Sequence, residues 1–145
     1  MIIEYTSNIR LDNYLCLGDL RYGNETMSTN LASCVSLIFY SDKLKKGGLS
    51  HITGFKLHTK NYCYPEKVLE KYLEIINKEK ISDPEFYVVG GFSSFPDVYY
   101  KTLTLLDKNN INYNILSKLN DNNTNIKFEP INSKISIHEF MTITN

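Results

Sequence analysis

The chain has 145 residues, 42% hydrophobic and 22% charged, with sixteen basic and sixteen acidic side chains that cancel. Length and composition are those of one ordinary globular domain. The balance of charge leaves no basic excess to recruit nucleic acid and no polybasic patch for a membrane surface, and no apolar run is long enough to insert into a bilayer.

The opening residues, MIIEYTSNIRLD, carry acidic and polar groups too early for a signal peptide. Residues 13–20 (NYLCLGDL) alternate in part and run into RYGNE, a pattern that predicts a strand and then a turn. SCVSLIFY, residues 33–40, is the clearest strand, with Val35, Leu37 and Phe39 on one face and Ser36, Ile38 and Tyr40 on the other. A polar loop, SDKLKKGG, leads to a second strand, LSHITGF. Residues 34–55 are therefore expected to form a β-hairpin in which Gly47 and Gly48 make the turn.

Residues 64–80 carry the best helical signal, with Pro65 in the first turn and Val68, Leu69, Tyr72, Leu73 and Ile76 at a helical period. FYVVGGF, residues 86–92, reads as a short buried strand closed by Gly90 and Gly91. A second helix is expected over residues 96–110, with Val98, Thr102, Leu105 and Leu106 along one stripe and Asn109 and Asn110 ending it. Residues 111–119 read as a strand, 120–125 as a polar turn, and 126–130 with 134–140 as a closing hairpin. There is no interdomain linker and no repeat. The expected architecture is a single α+β domain over residues 1–145, a layered sandwich of mostly antiparallel β-sheet covered by two main helices.

Cys16, Cys34 and Cys63 are odd in number and lack CxxC spacing. That argues against a disulfide framework and a zinc site and suits a reducing, cytoplasmic setting, and no metal or cofactor is expected. A thiol becomes a good nucleophile only when its proton is removed, and Cys34, at a strand start, has no helix N-terminus to help. An imidazole would have to serve. His51 lies seventeen positions later, on the other arm of the expected hairpin, where register can bring the two within reach. The alternative is that Cys34 simply packs, as most buried cysteines do. Cys16 reads as core and Cys63 as loop or helix-entry filler, while His58 and His138 read as surface or edge residues. On this pattern Cys34 is expected to be the most reactive thiol. The small residues Ala32 and Ser33 before it would let a substrate approach backbone amides able to stabilise an oxyanion.

SCVSLIFYSDKLKKGGLSH, residues 33–51, resembles the signature of the CheD family of chemoreceptor glutamine deamidases, including the seventeen-residue interval from thiol to imidazole. FYVVGGF and NIKFEPINSKISI resemble later parts of that family, and the order of elements is similar over nearly the whole chain. The resemblance implies a thiol-dependent protein glutamine deamidase that converts a glutamine side chain to glutamate through a Cys thioester, with loss of ammonia. It implies Cys34 as nucleophile and His51 as general base and acid. It also implies a hydroxyl six residues before the cysteine to orient the imidazole, which is Ser28 here, with Thr29 as the neighbour that a one-residue shift would select. Its implied partners are a protein bearing an exposed glutamine, such as a chemoreceptor, and a CheC-like phosphatase as regulator.

The chain departs from the family pattern at Ala32, which replaces a glycine, and at SSFPDVYY and LNDNNTNIKF, which lack the family's Arg-Asn and Gly-Gly features. Two alternatives follow from these departures. One is a diverged, secreted effector of the deamidating-toxin kind, of which the cytotoxic necrotising factors are examples, acting on a host or signalling protein. The other is a non-catalytic CheD-like binding module. A cysteine protease ranks behind both, because nothing marks an extended peptide groove.

Overall fold

The computed structural model describes residues 1–117 and 119–141. In chain order its strands and helices are β1 (Ile2–Tyr5), β2 (Leu20–Gly23), β3 (Met27–Leu31), β4 (Val35–Ser41), β5 (Lys46–Ser50), α1 (Pro65–Lys78), β6 (Pro84–Gly90), α2 (Asp97–Lys108), β7 (Asn114–Ile115), β8 (Asn123–Glu129) and β9 (Lys134–Phe140). They make a four-stranded sheet, β1-β9-β8-β3, and a five-stranded sheet, β2-β5-β4-β6-β7. Both are antiparallel except where β1 meets β9 and β6 meets β7.

Strand β4 is buried at every residue, and the layering follows from covering both its faces. Val35, Leu37 and Phe39 pack with Val68, Leu69 and Tyr72 of α1 and Val98 and Leu106 of α2. Ile38 and Tyr40 point the other way, with Cys34, onto Met27 and Leu31 of β3, Ile126 and Phe128 of β8 and Ile135 and Ile137 of β9. The result is helices, then the five-stranded sheet, then the four-stranded sheet. Each fully buried large apolar side chain in these two interfaces contributes roughly 1.5–3 kcal/mol. No helix among the described residues is long and apolar enough to cross a membrane.

The helix stripes follow the expected period with small corrections. Val68, Leu69 and Tyr72 are buried, but Ile75 is the next core residue and Leu73 is exposed. Other expectations change more. The strand expected over residues 13–20 is only a single bridge at Tyr14, while β2 occupies part of the expected turn and β3 follows it unannounced. The strand expected over residues 111–119 contracts to β7, and Lys118 lies outside the described residues.

The hairpin turns at residues 42–45, where Lys45 takes φ 52°, rather than at the glycine pair. Gly47 and Gly48 lie within β5. A Cβ on Gly47 would stand 2.5 Å from the Phe128 ring, and one on Gly48 would stand 2.5 Å from the Tyr72 ring. The pair is small because the strand is pressed between two aromatic rings, one on each face.

Candidate functional site

Three strands converge on the end of the inter-sheet layer where the chain crosses from β3 to β4. The crossing is Ala32-Ser33-Cys34, so Cys34 leaves one sheet and enters the other. Its backbone is clamped there: the Gly91 N–H donates to the Cys34 carbonyl at 3.0 Å. Gly90, at φ 98°, brings its own backbone so close that a Cβ would stand 2.7 Å from that same oxygen. Cys34 is buried, with 7% of its surface exposed.

His51 follows the last residue of β5. Its amide donates to the Asp19 carbonyl at 3.1 Å, and its carbonyl accepts from Gly18 at 2.8 Å. Val35 and Ile52 exchange both backbone hydrogen bonds, at 3.1 and 2.8 Å. That register sets Ser36 opposite His51 and leaves Cys34 on the diagonal from His51, on the same face. The thiol and imidazole are thus near neighbours rather than directly facing.

The imidazole reaches across to the other sheet. His51 Nδ1 lies 2.7 Å from Thr29 Oγ1, and that hydroxyl also donates to the Leu15 carbonyl at 2.8 Å. A hydroxyl has one proton. With it committed to Leu15, Thr29 can only accept from His51, so the network assigns the proton to Nδ1 and leaves Nε2 as a bare lone pair. Nε2 is buried and has no hydrogen-bonding partner among the described residues.

Ser28, the hydroxyl that the family spacing selects, is elsewhere. Its Oγ donates to the Asp12 carbonyl at 2.5 Å. The reason is strand parity. Met27, Thr29 and Leu31 share the inward face of β3, because their partners Phe128, Ile126 and Thr124 belong to the inward face of β8. Ser28 must face outward. Thr29 therefore holds the place beside the imidazole, and the apolar–Thr–apolar alternation of Met27, Thr29 and Leu31 was a signal available in the sequence.

Burial governs the electrostatics of the pair. It pushes the Cys34 thiol up to about 11. It pulls His51 down to about 4, against the opposing influence of the Leu15 carbonyl and the Asp19 carboxylate. Both groups rest neutral at ordinary pH, as thiol and imidazole rather than thiolate and imidazolium. The expectation that Cys34 is the most reactive free thiol does not fit this geometry, since Cys16 is the exposed cysteine. Cys16 is accordingly not core, while Cys63 is buried just before α1. His58 is exposed, and His138 stands on the face of β9 opposite Ile135 and Ile137, tilted against the Phe140 ring.

A cleft of about 530 Å³ opens at Ser33 and Thr53, next along the chain and across the ladder from Cys34; neither Cys34 nor His51 is on its wall. Its walls include Ser33, the residue before the thiol, and Thr53, the residue opposite it in register, together with Phe55, Phe95, Asp97 and Lys101. Phe55 and Phe95 are 54% and 70% exposed, so the mouth is rimmed by two aromatic rings. Among the described residues no group of His, Cys, Asp or Glu is arranged to hold a metal ion. What the arrangement can do chemically is move a proton: Nε2 is a buried base on a ring whose tautomer the Thr29 hydroxyl fixes, on the same face of the ladder as the Cys34 thiol. No protein-family model and no curated protein matches the chain.

Proposed function

We propose that this chain is a CheD-like, thiol-dependent protein glutamine deamidase. The observation that carries the reading is the hydrogen bond from His51 Nδ1 to Thr29 Oγ1, which leaves the buried Nε2 as an unpartnered lone pair on a ring that shares its face of the ladder with Cys34. An activated nucleophile needs a base whose ring is held by a third group, and Thr29 supplies that hold.

In this mechanism a glutamine side chain enters the cleft while its own backbone stays on the surface of a folded substrate. Sγ of Cys34 bonds to the amide carbon as Nε2 of His51 takes the thiol proton. The resting neutrality of the pair means that this transfer accompanies attack rather than preceding it. In this reading the amides around Ser33 and Cys34 receive the developing oxyanion. His51 passes its proton to the departing nitrogen and ammonia leaves. Water then adds to the thioester carbon, giving its proton to Nε2; the carbon–sulfur bond breaks, the sulfur takes the proton back, and glutamate remains. Thr29 keeps the ring oriented throughout. The aromatic rim and the charged side chains of Asp97 and Lys101 would meet the substrate protein, whether a chemoreceptor or another signalling or host protein.

The test is incubation with candidate substrates and cell lysate, with Cys34→Ser as control. Ammonia release and glutamine-to-glutamate mass shifts should appear with the native thiol and vanish with the serine. New peptide termini without amide-to-acid conversion would make the protein a protease. A second reading is a CheD-like binding module without turnover. It is favoured by the buried thiol and its raised pKa, and it predicts equal partner retention by native and Cys34→Ser protein with no chemistry from either.

A further inference from the structure

Strand β4 carries a second polar group that the mechanism has not used. Ser36 is completely buried, and its Oγ has no hydrogen-bonding partner among the described residues. It lies two positions after Cys34 on the same inward face, and the Val35–Ile52 register puts it directly across from His51. His51 Nε2 is likewise buried and unpartnered. Two orphaned polar atoms at facing positions on adjacent strands are unusual, because nearly all buried polar groups are satisfied by protein or by water.

The strands are also held apart at this point. One pair further along, the ladder should close through the Leu37 and Ser50 backbones. Instead, Ser50 Oγ accepts from the Leu37 N–H at 3.0 Å and donates to the Leu37 carbonyl at 2.7 Å. A side-chain oxygen in place of a direct backbone pair needs extra width between β4 and β5. Ser36 Oγ and His51 Nε2 make no hydrogen bond with each other, and a bridging water is the ordinary way in which two such buried atoms are satisfied.

We infer that Ser36 and His51 together hold one buried water, with Ser36 Oγ donating to it and His51 Nε2 accepting from it, and that Ser36 is the positioning residue for the hydrolytic water. This rests on the deamidase reading for its role but not for its existence. A water so held has one proton already directed at the base. Its remaining lone pair is free for a carbonyl carbon bound to Cys34, two residues away on the same face. The step balances: the water oxygen bonds to the acyl carbon, its proton goes to Nε2, the carbon–sulfur bond breaks and the sulfur is reprotonated. The entering amide displaces this water, which frees Nε2 for the thiol in the first half, and Ser36 acts on the second half, when water returns to the site. Thr29 acts on both halves.

Two measurements test the inference. The first uses the native protein and Ser36→Ala with p-nitrophenyl acetate as acyl donor, following nitrophenol release and, by mass mapping of the Cys34 peptide, acetyl-Cys34. Ser36→Ala should keep the burst rate and slow loss of the acetyl group on the order of ten-fold, as one lost hydrogen bond would. Unchanged decay, or equal losses in burst and decay, would overturn the positioning role. The second uses ¹⁵N resonances of His51 in the free protein. Ser36→Ala should shift Nε2 and leave Nδ1, held by Thr29, in place; no shift at Nε2 would overturn the bridge itself. If native Cys34 takes no acetyl group while Nε2 still responds to Ser36→Ala, the deamidase reading fails and the bound water stands.

Discussion

Tyr40 and Cys34 lie six positions apart on one face of the same buried stretch of chain, and both bring polar atoms into the layer between the sheets. At the Tyr40 end the polar atoms are partnered several times over. The hydroxyl bonds the Pro130 carbonyl at 3.0 Å, Ser133 Oγ at 2.5 Å and Asp42 Oδ1 at 3.3 Å. Lys45 joins both Asp42 and Ser133. At the Cys34 end, two buried atoms, Ser36 Oγ and His51 Nε2, bond to no described residue, and both the thiol and the imidazole are driven from their usual pKa by burial.

The difference is between a polar network closed within the protein and one with hydrogen-bonding capacity to spare. Tyr40 ties the β4–β5 turn to the β8–β9 turn, and its bonds saturate its capacity. A buried polar atom left unpaired costs about 1–3 kcal/mol, which sets the two atoms at the Cys34 end apart from the partnered groups around Tyr40. The spare hydrogen-bonding capacity at the Cys34 end is what a substrate amide or a water can use.

The comparison can be broken most severely at Thr29. Thr29→Ala should lower deamidation on the order of 10³-fold, because the imidazole loses the group that fixes its tautomer, while Thr29→Ser retains most activity. Ser28→Ala, on the outward face, should leave activity within roughly two-fold of native, a change below one hydrogen bond's worth. Rates of ammonia release on one substrate decide between them. Equal damage from both changes would show that the β3 hydroxyls act through the fold rather than through His51.

Acid stability sharpens the same contrast. The folded pKa of His51 lies below its unfolded value, so the unfolded chain binds a proton first as pH falls. Stability from this group is fully present above about pH 6.5 and is lost as pH falls toward about 4. Denaturant titrations across that window should show a loss of roughly 3 kcal/mol that His51→Gln lacks. A native-like slope in His51→Gln would mean that other groups dominate acid unfolding.

The smallest effect belongs to the saturated end. Tyr40→Phe should cost about 1–2 kcal/mol in denaturant unfolding, through loss of the hydroxyl's bonds to Pro130 and Ser133. Iodoacetamide labelling should remain ordered as in the native protein, with exposed Cys16 ahead of buried Cys34. A change in Cys34 labelling would show that the two ends of β4 are coupled.

Local pattern alone determined much of this molecule. The double-faced burial of β4, both helices and the β8–β9 hairpin follow from periods that each segment carries within itself. Spacing singled out Cys34 and His51 because a hairpin limits how far apart its two arms can be. Only the tertiary structure decided the rest. Gly47 and Gly48 read as a turn because turns favour glycine, but Phe128 and Tyr72, distant in sequence, explain them. Thr29 rather than Ser28 meets the imidazole because the alternation of Met27, Thr29 and Leu31 on β3 acquires its meaning only once a second sheet packs over β5. The tautomer of His51 depends on the Leu15 carbonyl, and the thiol's raised pKa on burial between two sheets. Periodicity is a property of neighbouring residues along the chain, whereas a proton's position is set by whichever groups packing brings within about 3 Å.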